Sequence, residues 1–369
     1  MKITSVDIFK VDIELIHPIR VPIGILDAAH NVFIRVNTDA DICGWGEASP
    51  FTPITFDSQA SCLAAAKRLA TILHGRDPLD IEGCTRELQR TARELPSIRS
   101  AFDMALYDIA GKAADLPVYA LLGGENRSLR SDFTIGMQDS IDETFVLLEE
   151  GLANGFDAVK LKVGRPRLED SEEVAAVRER VGPDISVKID SNQGWDYPTA
   201  LANLTAMSGL DLQYSEQPTP ASQYETLKQL RENTSVRICA DESVFNDGDA
   251  QTLVDMGAVD YLNIKLGKSG GIHTGQKINA IAEAADLGCM VGCFAESRLG
   301  LTATAHLAIA RSNIVFIDLD SAYDLKVDPI IGGGSFNEED GGMIYISNAP
   351  GFGAALNDEF IESSYWATV

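Results

Sequence analysis

AVKLK (158–162) ends on Lys162, and the pattern that it begins decides the fold. ISVKID (185–190), LQYSE (212–216), VRICAD (236–241) and DYLNIK (260–265) follow, short apolar runs that close on Asp190, Glu216, Asp241 and Lys265. The closing residues are separated by 28, 26, 25 and 24 positions. One strand, one helix and two loops occupy roughly 25 to 30 residues, the unit of a (β/α)8 barrel. In that fold the C-terminal strand ends face the active site. A lone charge is seldom buried without a partner, so five at successive strand ends are poorly explained as packing. Singly they would read as charges at the start of surface loops. Together they predict one site.

Strand and helix patterns alternate from SDFTIG (131–136) to Asp320. Eight strands are expected, ending near Gly136, Lys162, Asp190, Glu216, Asp241, Lys265, Glu296 and Asp318. Helical segments such as LEDSEEVAAVRERVG (168–182) and TGQKINAIAEAADLG (274–288) separate them, several finishing in glycine as a helix C-terminus favours. Residues 1 to 125 break that rhythm. ITSVDIFKVDI (3–13), NVFIRVNT (31–38) and GWGEAS (44–49) read as antiparallel strands, and 58–73 and 97–116 have helical spacing. The expected fold class is therefore α/β: a barrel over 126–329, and an α+β unit over 1–125 to which 330–369 returns.

A net charge of −25 offers no basic surface for nucleic acid and opposes anionic membranes. No apolar run approaches the ~20 residues of a membrane helix. The alternating start MKITSVDIFKVDI lacks a signal-peptide core, and the six cysteines lack metal spacing, so reduced thiols and a cytoplasmic location are expected. CMVGCF (289–294) reads as one buried strand.

The three acids fall on neighbouring strands three, four and five, with Lys162 on strand two and Lys265 on strand six flanking them. Carboxylates without His or Cys suit a hard divalent cation, Mg²⁺ before Zn²⁺. With a substrate carboxylate on that metal, the adjacent carbon would sit between the lysines. The layout fits abstraction of a proton α to a carboxylate: the metal stabilises the enediolate, one lysine removes the proton and the other returns one to the opposite face. Lys160 shares a strand face with Lys162. It is read as a cation that lowers its neighbour's pKa or as a partner of the substrate carboxylate. Glu242, beside Asp241, is read as orienting the metal ligands.

GWGEASPF, AFDMALYDIAGKAADLPVYALLGG, KLKVG, DSNQGW, SEQP, ADES, NIKLGKSGG and AESRLGLTATAHLA together resemble the muconate-lactonizing-enzyme subgroup of the enolase superfamily, over the whole chain. The resemblance implies that the N-terminal unit caps the barrel mouth. It also implies one Mg²⁺ per subunit on Asp190, Glu216 and Asp241, with acid/base lysines at Lys162 and Lys265. Cycloisomerases, o-succinylbenzoate synthases, N-acylamino acid racemases and dipeptide epimerases share that set.

FIDLDSAYD on strand eight carries Asp318 and Asp320, similar to the mark of the dipeptide epimerases, where the pair binds the substrate's N-terminal ammonium. Two residues apart on a strand, both side chains share a face, and two carboxylates suit a cation. For Asp320 the plain alternative is a helix N-cap or a solvated loop. Thr134, at the end of strand one, resembles a family position that hydrogen-bonds the dipeptide. Specificity is expected from the capping segment RVPIGILDAAHN (20–31), with Gly24 and Ile25 in contact with substrate. Relatives acting on Ala-Glu carry arginine at the position aligned with Gly24. Its absence points to a small or hydrophobic second residue, although Arg20 could restore an acidic preference. Glu296 and Arg298 are read as a buried pair or as substrate contacts.

The expected activity is Mg²⁺-dependent epimerisation of an L,L-dipeptide at its C-terminal residue, by a homo-oligomer whose partner is a small-molecule substrate. The alternatives are an N-acylamino acid racemase, an o-succinylbenzoate synthase, an L-Ala-D/L-Glu epimerase or a catalytically silent barrel that only binds. GKSGG (267–271) looks like a phosphate loop, but Leu262 stands where the opening glycine should be. None of the five histidines forms a ligand cluster; His306 reads as packed on a helix and His273 as a loop residue.

Overall fold

The computed structural model describes residues 1–165 and 169–369. Strands Ile3–Val21, Gly24–Thr38 and Cys43–Ala48 form an antiparallel sheet, and Tyr365–Thr368 adds to its edge by pairing antiparallel with the first. Its side chains alternate between two apolar surroundings. Val6, Ile8, Ile34 and Val36 pack on helices Gln59–Leu73 and Pro96–Ala114, whereas Phe9, Val11, Phe33 and Trp45 join the core that continues into the barrel. Both faces are buried, so the sheet is the layer that joins cap to barrel. The capping segment 20–31 is the tip of a long hairpin. Val21 pairs with Gly24, Arg20 with Ile25 and Ile19 with Leu26 around a turn at Pro22 and Ile23.

Eight parallel strands follow in chain order: Phe133–Ile135, Ala158–Lys162, Ser186–Asp190, Leu212–Glu216, Ile238–Ala240, Tyr261–Ile264, Gly288–Val291 and Ile314–Ile317. The last and first meet through single contacts rather than a ladder. Asp132 N–H donates to the Ile317 carbonyl at 3.1 Å, and Leu319 N–H to Ser131 Oγ at 2.8 Å. Lys162 stands in register with Asp190, and Asp190 with Glu216, so three functional side chains leave adjacent strands at one height. Asp241, Lys265 and Asp318 come one residue after their strands. The helix ahead of strand three runs Glu169–Val181, and its expected start at Leu168 lies outside the described residues. Among the described residues no helix is long and apolar enough to cross a membrane.

Strand seven stops at Val291, short of the expected Glu296, so Cys293 lies in the loop beyond it. A side chain at Gly292 would meet Lys265 Cε at 2.9 Å; the chain turns there to make room for the lysine. His273 is also displaced from its reading, since it lies in the first turn of helix Ile272–Ala284.

Two acids of the cap serve barrel helices. Asp103 accepts from Ile272 N–H (2.5 Å) and His273 N–H (3.3 Å), and Glu47 from Ser297 N–H (2.8 Å) and Gly300 N–H (2.9 Å). Gly271, at φ 115°, permits the first of these, because a Cβ there would lie 2.2 Å from Asp103 Oδ1. The last two GKSGG glycines, Gly270 against Arg99 and Gly271 against Asp103, thus serve domain docking. Replacing Asp103 by alanine orphans the helix donors and should cost about 1–3 kcal/mol in chemical denaturation. Burial pushes the Asp103 carboxyl from its ordinary 3.8 up to about 7 against those donors. A raised carboxyl binds its proton more tightly when folded, so its contribution is present below about pH 4 and lost as pH rises toward about 7. Wild type should therefore lose stability relative to Asp103→Asn across that window, read as denaturation midpoints at a series of pH values.

Candidate active site

The five strand-end residues converge. Asp190, Glu216 and Asp241 are fully buried, and Lys265 is nearly so. Lys162 Nζ donates to Asp190 Oδ2 at 2.5 Å, and Lys265 Nζ lies 2.8 Å from Asp241 Oδ2. Lys268 Nζ, 3.3 Å from Asp241 Oδ1, also donates to the carbonyls of Asp241, Val244 and Asn263, which fixes the loops after strands five and six. Lys160 reaches between Asp318 and Glu216, with Glu216 Oε2 at 3.6 Å.

Burial alone would lower the Lys265 ammonium, but Asp241 and Glu216 outweigh it and hold the group above its ordinary range. Lys160 is raised as well, as Asp318, Glu216 and Asp190 overcome its burial. Asp241 shows the reverse balance: burial opposes its charge, while Lys265 and Lys268 keep it ionised. Glu216 is pushed up to about 7 by burial and by the charge of Asp190. Asp190 and Asp241 both raise Glu216 by their charge, and adding a cation would relieve the repulsion.

Do these residues suit a divalent metal? Glu216 Oε2 and both Asp241 oxygens are buried without a hydrogen bond of good geometry, meeting ammonium groups only as ion pairs. Among the described residues no three Asp, Glu, His or Cys side chains stand close enough to hold one ion, since Asp190 and Asp241 each turn to a lysine. The donor chemistry fits all the same: three buried carboxylates on adjacent strand ends, two of them with oxygens that accept no hydrogen bond, form an oxygen-only set suited to Mg²⁺.

Over the lysines lies a cavity of about 90 Å³. Lys160, Lys162 and Lys265 form its floor; Ile19, Val21 and Leu26 of the hairpin, with Phe51, Ile54 and Phe294, form an apolar roof and wall. Phe294 also lies under Lys265, with Nζ 5.0 Å from the ring centroid. Gly24 shares the hairpin face of Leu26, and a Cβ there would sit 3.7 Å from Phe51 Cζ. Alternation turns Ile25 and Arg20 the other way: Ile25 is 63% exposed and Arg20 pairs with Asp139 at 3.1 Å. The structure therefore does not bring Ile25 to the cavity, whereas Arg20, paired with Asp139, lines a neighbouring cavity that also reaches Thr134 and Asp320.

Asp318, Asp320 and Thr134 meet at the opposite rim. Thr134 N–H donates to Asp320 Oδ2 (3.0 Å) and Thr134 Oγ to Asp318 Oδ1 (3.2 Å). Asp318 Oδ2 takes Lys160, so both its oxygens are engaged. Despite its burial, Asp318 is held below its ordinary range by Lys160, Lys162 and Lys265. Asp320 instead rises to about 6 through burial and the charge of Asp318. It makes no capping bond to the short 3-10 turn Ser321–Asp324 that follows, which disposes of the N-cap reading.

Arg298 points away from the site, to Asp328 at 2.5 Å and to the carbonyls of Ile330, Gly332 and Gly334, so it clasps the C-terminal segment to the barrel. The expected Glu296–Arg298 pair does not form. Glu296 accepts from Phe294 N–H and is pushed up to about 8 by burial and by Glu47. His306 is buried, accepting from Tyr119 N–H at 2.9 Å.

Two side chains were missed by sequence reasoning. Asn263 donates to Glu216 Oε1 at 2.6 Å, and Asn192 lines the cavity beside the lysines. Each stands two positions from a residue that was singled out, Lys265 and Asp190. For Asn263 the two-residue strand period was the available signal.

The profile described as the mandelate racemase/muconate lactonizing enzyme N-terminal domain matches residues 3–123, and the enolase C-terminal domain-like profile matches 146–360. The chain is 35% identical over 365 residues to the D-Ala-D/L-Ala epimerase of Cytophaga hutchinsonii, covering 98% of each chain. It is 35% identical over 357 residues to the hydrophobic dipeptide epimerase of Enterococcus faecalis, covering 96% of this chain and 99% of the relative. The crystal structure of the Cytophaga hutchinsonii dipeptide epimerase complexed with Mg and D-Ala-L-Val superposes with a TM-score of 0.95 at 34% identity, covering 100% of this chain and 99% of that one.

Proposed function

The chain belongs to the mandelate racemase/muconate lactonizing enzyme family of the enolase superfamily and is an isomerase of the racemase and epimerase kind; from that premise we propose that it is a Mg²⁺-dependent dipeptide epimerase inverting the C-terminal residue of an L,L-dipeptide. The observation that carries this is the pairing of Lys162 and Lys265, across an apolar cavity, with an acidic rim formed by Asp318 and Asp320. Mg²⁺ held by Asp190, Glu216 and Asp241 would supply the positive charge against which the substrate carboxylate gains electron density.

The chain's own groups then divide the work. Lys162 and Lys265 approach the α-carbon from opposite sides of the ring, one Nζ taking its proton and the other returning one to the opposite face. Asp320 receives the substrate ammonium, since the charge of Asp318 is already spent on Lys160. Thr134 fixes both carboxylates. Phe51, Ile54 and Phe294 shield the reacting carbon from water.

Ile19, Val21 and Leu26 of the hairpin give the second residue an apolar wall with no arginine at Gly24, which favours a small or hydrophobic side chain. A panel of L-Ala-L-Xaa dipeptides incubated with enzyme and Mg²⁺ in D₂O checks this by mass spectrometry. Deuterium uptake is expected where Xaa is Ala, Val, Leu, Met or Phe, and weak where it is Glu, Asp, Lys or Arg. Preferential uptake into L-Ala-L-Glu would overturn the second-residue assignment.

A further inference from the structure

We propose that Asn192 is a substrate-positioning residue that accepts a hydrogen bond from the peptide N–H on the reacting α-carbon, so that the site reads an amide at that position. The proposal rests on the dipeptide reading above.

Asn192 is 3% exposed, yet it lines the cavity floored by Lys162 and Lys265. Its Nδ2 donates to Glu242 Oε1 at 3.2 Å, which turns Oδ1 the other way. Oδ1 is buried and accepts nothing. A buried carbonyl oxygen without a donor costs free energy, and one facing a ligand cavity is satisfied when the ligand brings a donor. Close to the α-carbon a dipeptide carries a single N–H donor, that of the amide; its carboxylate and apolar side chain have none.

The backbone is committed to this placement. Asn192 sits at φ 36°, a left-handed conformation that side chains seldom adopt, and its N–H is tied to Asp190 Oδ1 at 2.9 Å. Asn192 is thus fixed at its backbone by one proposed metal ligand and at its amide by Glu242, leaving only Oδ1 to offer. A bond to the amide N–H would stop rotation about the N–Cα bond and aim the C–H at a lysine Nζ. That alignment matters because a proton transfer is sensitive to small misplacements.

The test compares a substrate dipeptide with its depsipeptide, in which an ester oxygen replaces the N–H, in wild type and in Asn192→Ala and Asn192→Leu. In wild type α-deuterium uptake should be slower for the ester by about 10- to 100-fold, the worth of one hydrogen bond plus an acceptor left unpaired. Both variants should be slow with the dipeptide and should discriminate no more than about threefold, because the reader is gone. A variant too slow to turn over yields the same ratio from calorimetric affinities. Equal losses for both substrates, with the wild-type ratio kept, would reduce Asn192 to a structural role and overturn the proposal. Absence of exchange from every dipeptide would instead reject the epimerase reading itself, so the two failures are distinct.

Discussion

Alanine at Lys162 and at Lys265, one at a time, is expected to stop epimerisation while leaving half of the proton chemistry intact. Each lysine is tied to its own carboxylate, Asp190 for Lys162 and Asp241 for Lys265, on opposite flanks of the acid trio. On the proposed two-lysine mechanism each serves one face of the α-carbon. A single variant should therefore still exchange the α-proton of one epimer with solvent and lose exchange from the other. Removing a positioned acid or base costs about 10²- to 10⁴-fold, and inversion needs both, so L,L to L,D conversion should fall by at least about 10³-fold in either variant. Proton NMR in D₂O, run from the L,L and the L,D dipeptide separately, reads both faces. Exchange of both epimers by one variant would show that a single group serves both faces, and the two-lysine assignment would fail.

The second large effect concerns Asp320. Charge-assisted hydrogen bonds contribute about 1.5–3 kcal/mol, so Asp320→Asn should lower kcat/KM for a free dipeptide by roughly 10- to 100-fold. The same enzyme acting on an N-acetylated dipeptide, which has no ammonium, should change little. The ratio of the two substrates isolates the ammonium contact. Asp318→Asn is a different experiment, because it strands the buried Lys160 beside Glu216 alone. Breaking a buried pair costs about 3–5 kcal/mol, so that variant should also melt earlier. An unchanged free-to-acetylated ratio in Asp320→Asn would move the ammonium elsewhere and favour an N-acylamino acid racemase.

Legibility in the sequence followed the chemistry of each signal. The barrel is legible because five successive strand ends carry a charge at a near-constant interval, and a period survives errors of one or two residues. Lys162, Asp190 and Glu216 stand in register because their strands run side by side. Boundaries were weaker. Cys293 was placed in strand seven because CMVGCF is continuously apolar, and Gly292, which ends the strand for the sake of Lys265, has no apolar signature of its own. Arg298 was drawn to the site by its position two residues after Glu296. Its carbonyl partners at Ile330, Gly332 and Gly334 are more than thirty residues away in sequence, and no local pattern announces them. Ile25 is assigned to substrate because the capping segment gives no sign in sequence of being a hairpin tip, and alternation has meaning only once the strand is known. Asn192 stayed silent because a neutral amide at a loop start has many ordinary uses.

The most direct measurement follows the α-proton itself. Purified enzyme with Mg²⁺ in D₂O is given a set of L-Ala-L-Xaa dipeptides and N-succinyl amino acids, and proton NMR tracks the α-position of each. The expected result is loss of the α-signal from the second residue of hydrophobic dipeptides, matched by growth of the L,D epimer and absent from the succinylated compounds. Exchange confined to the N-succinyl amino acids, with every dipeptide unchanged, would contradict the dipeptide epimerase assignment.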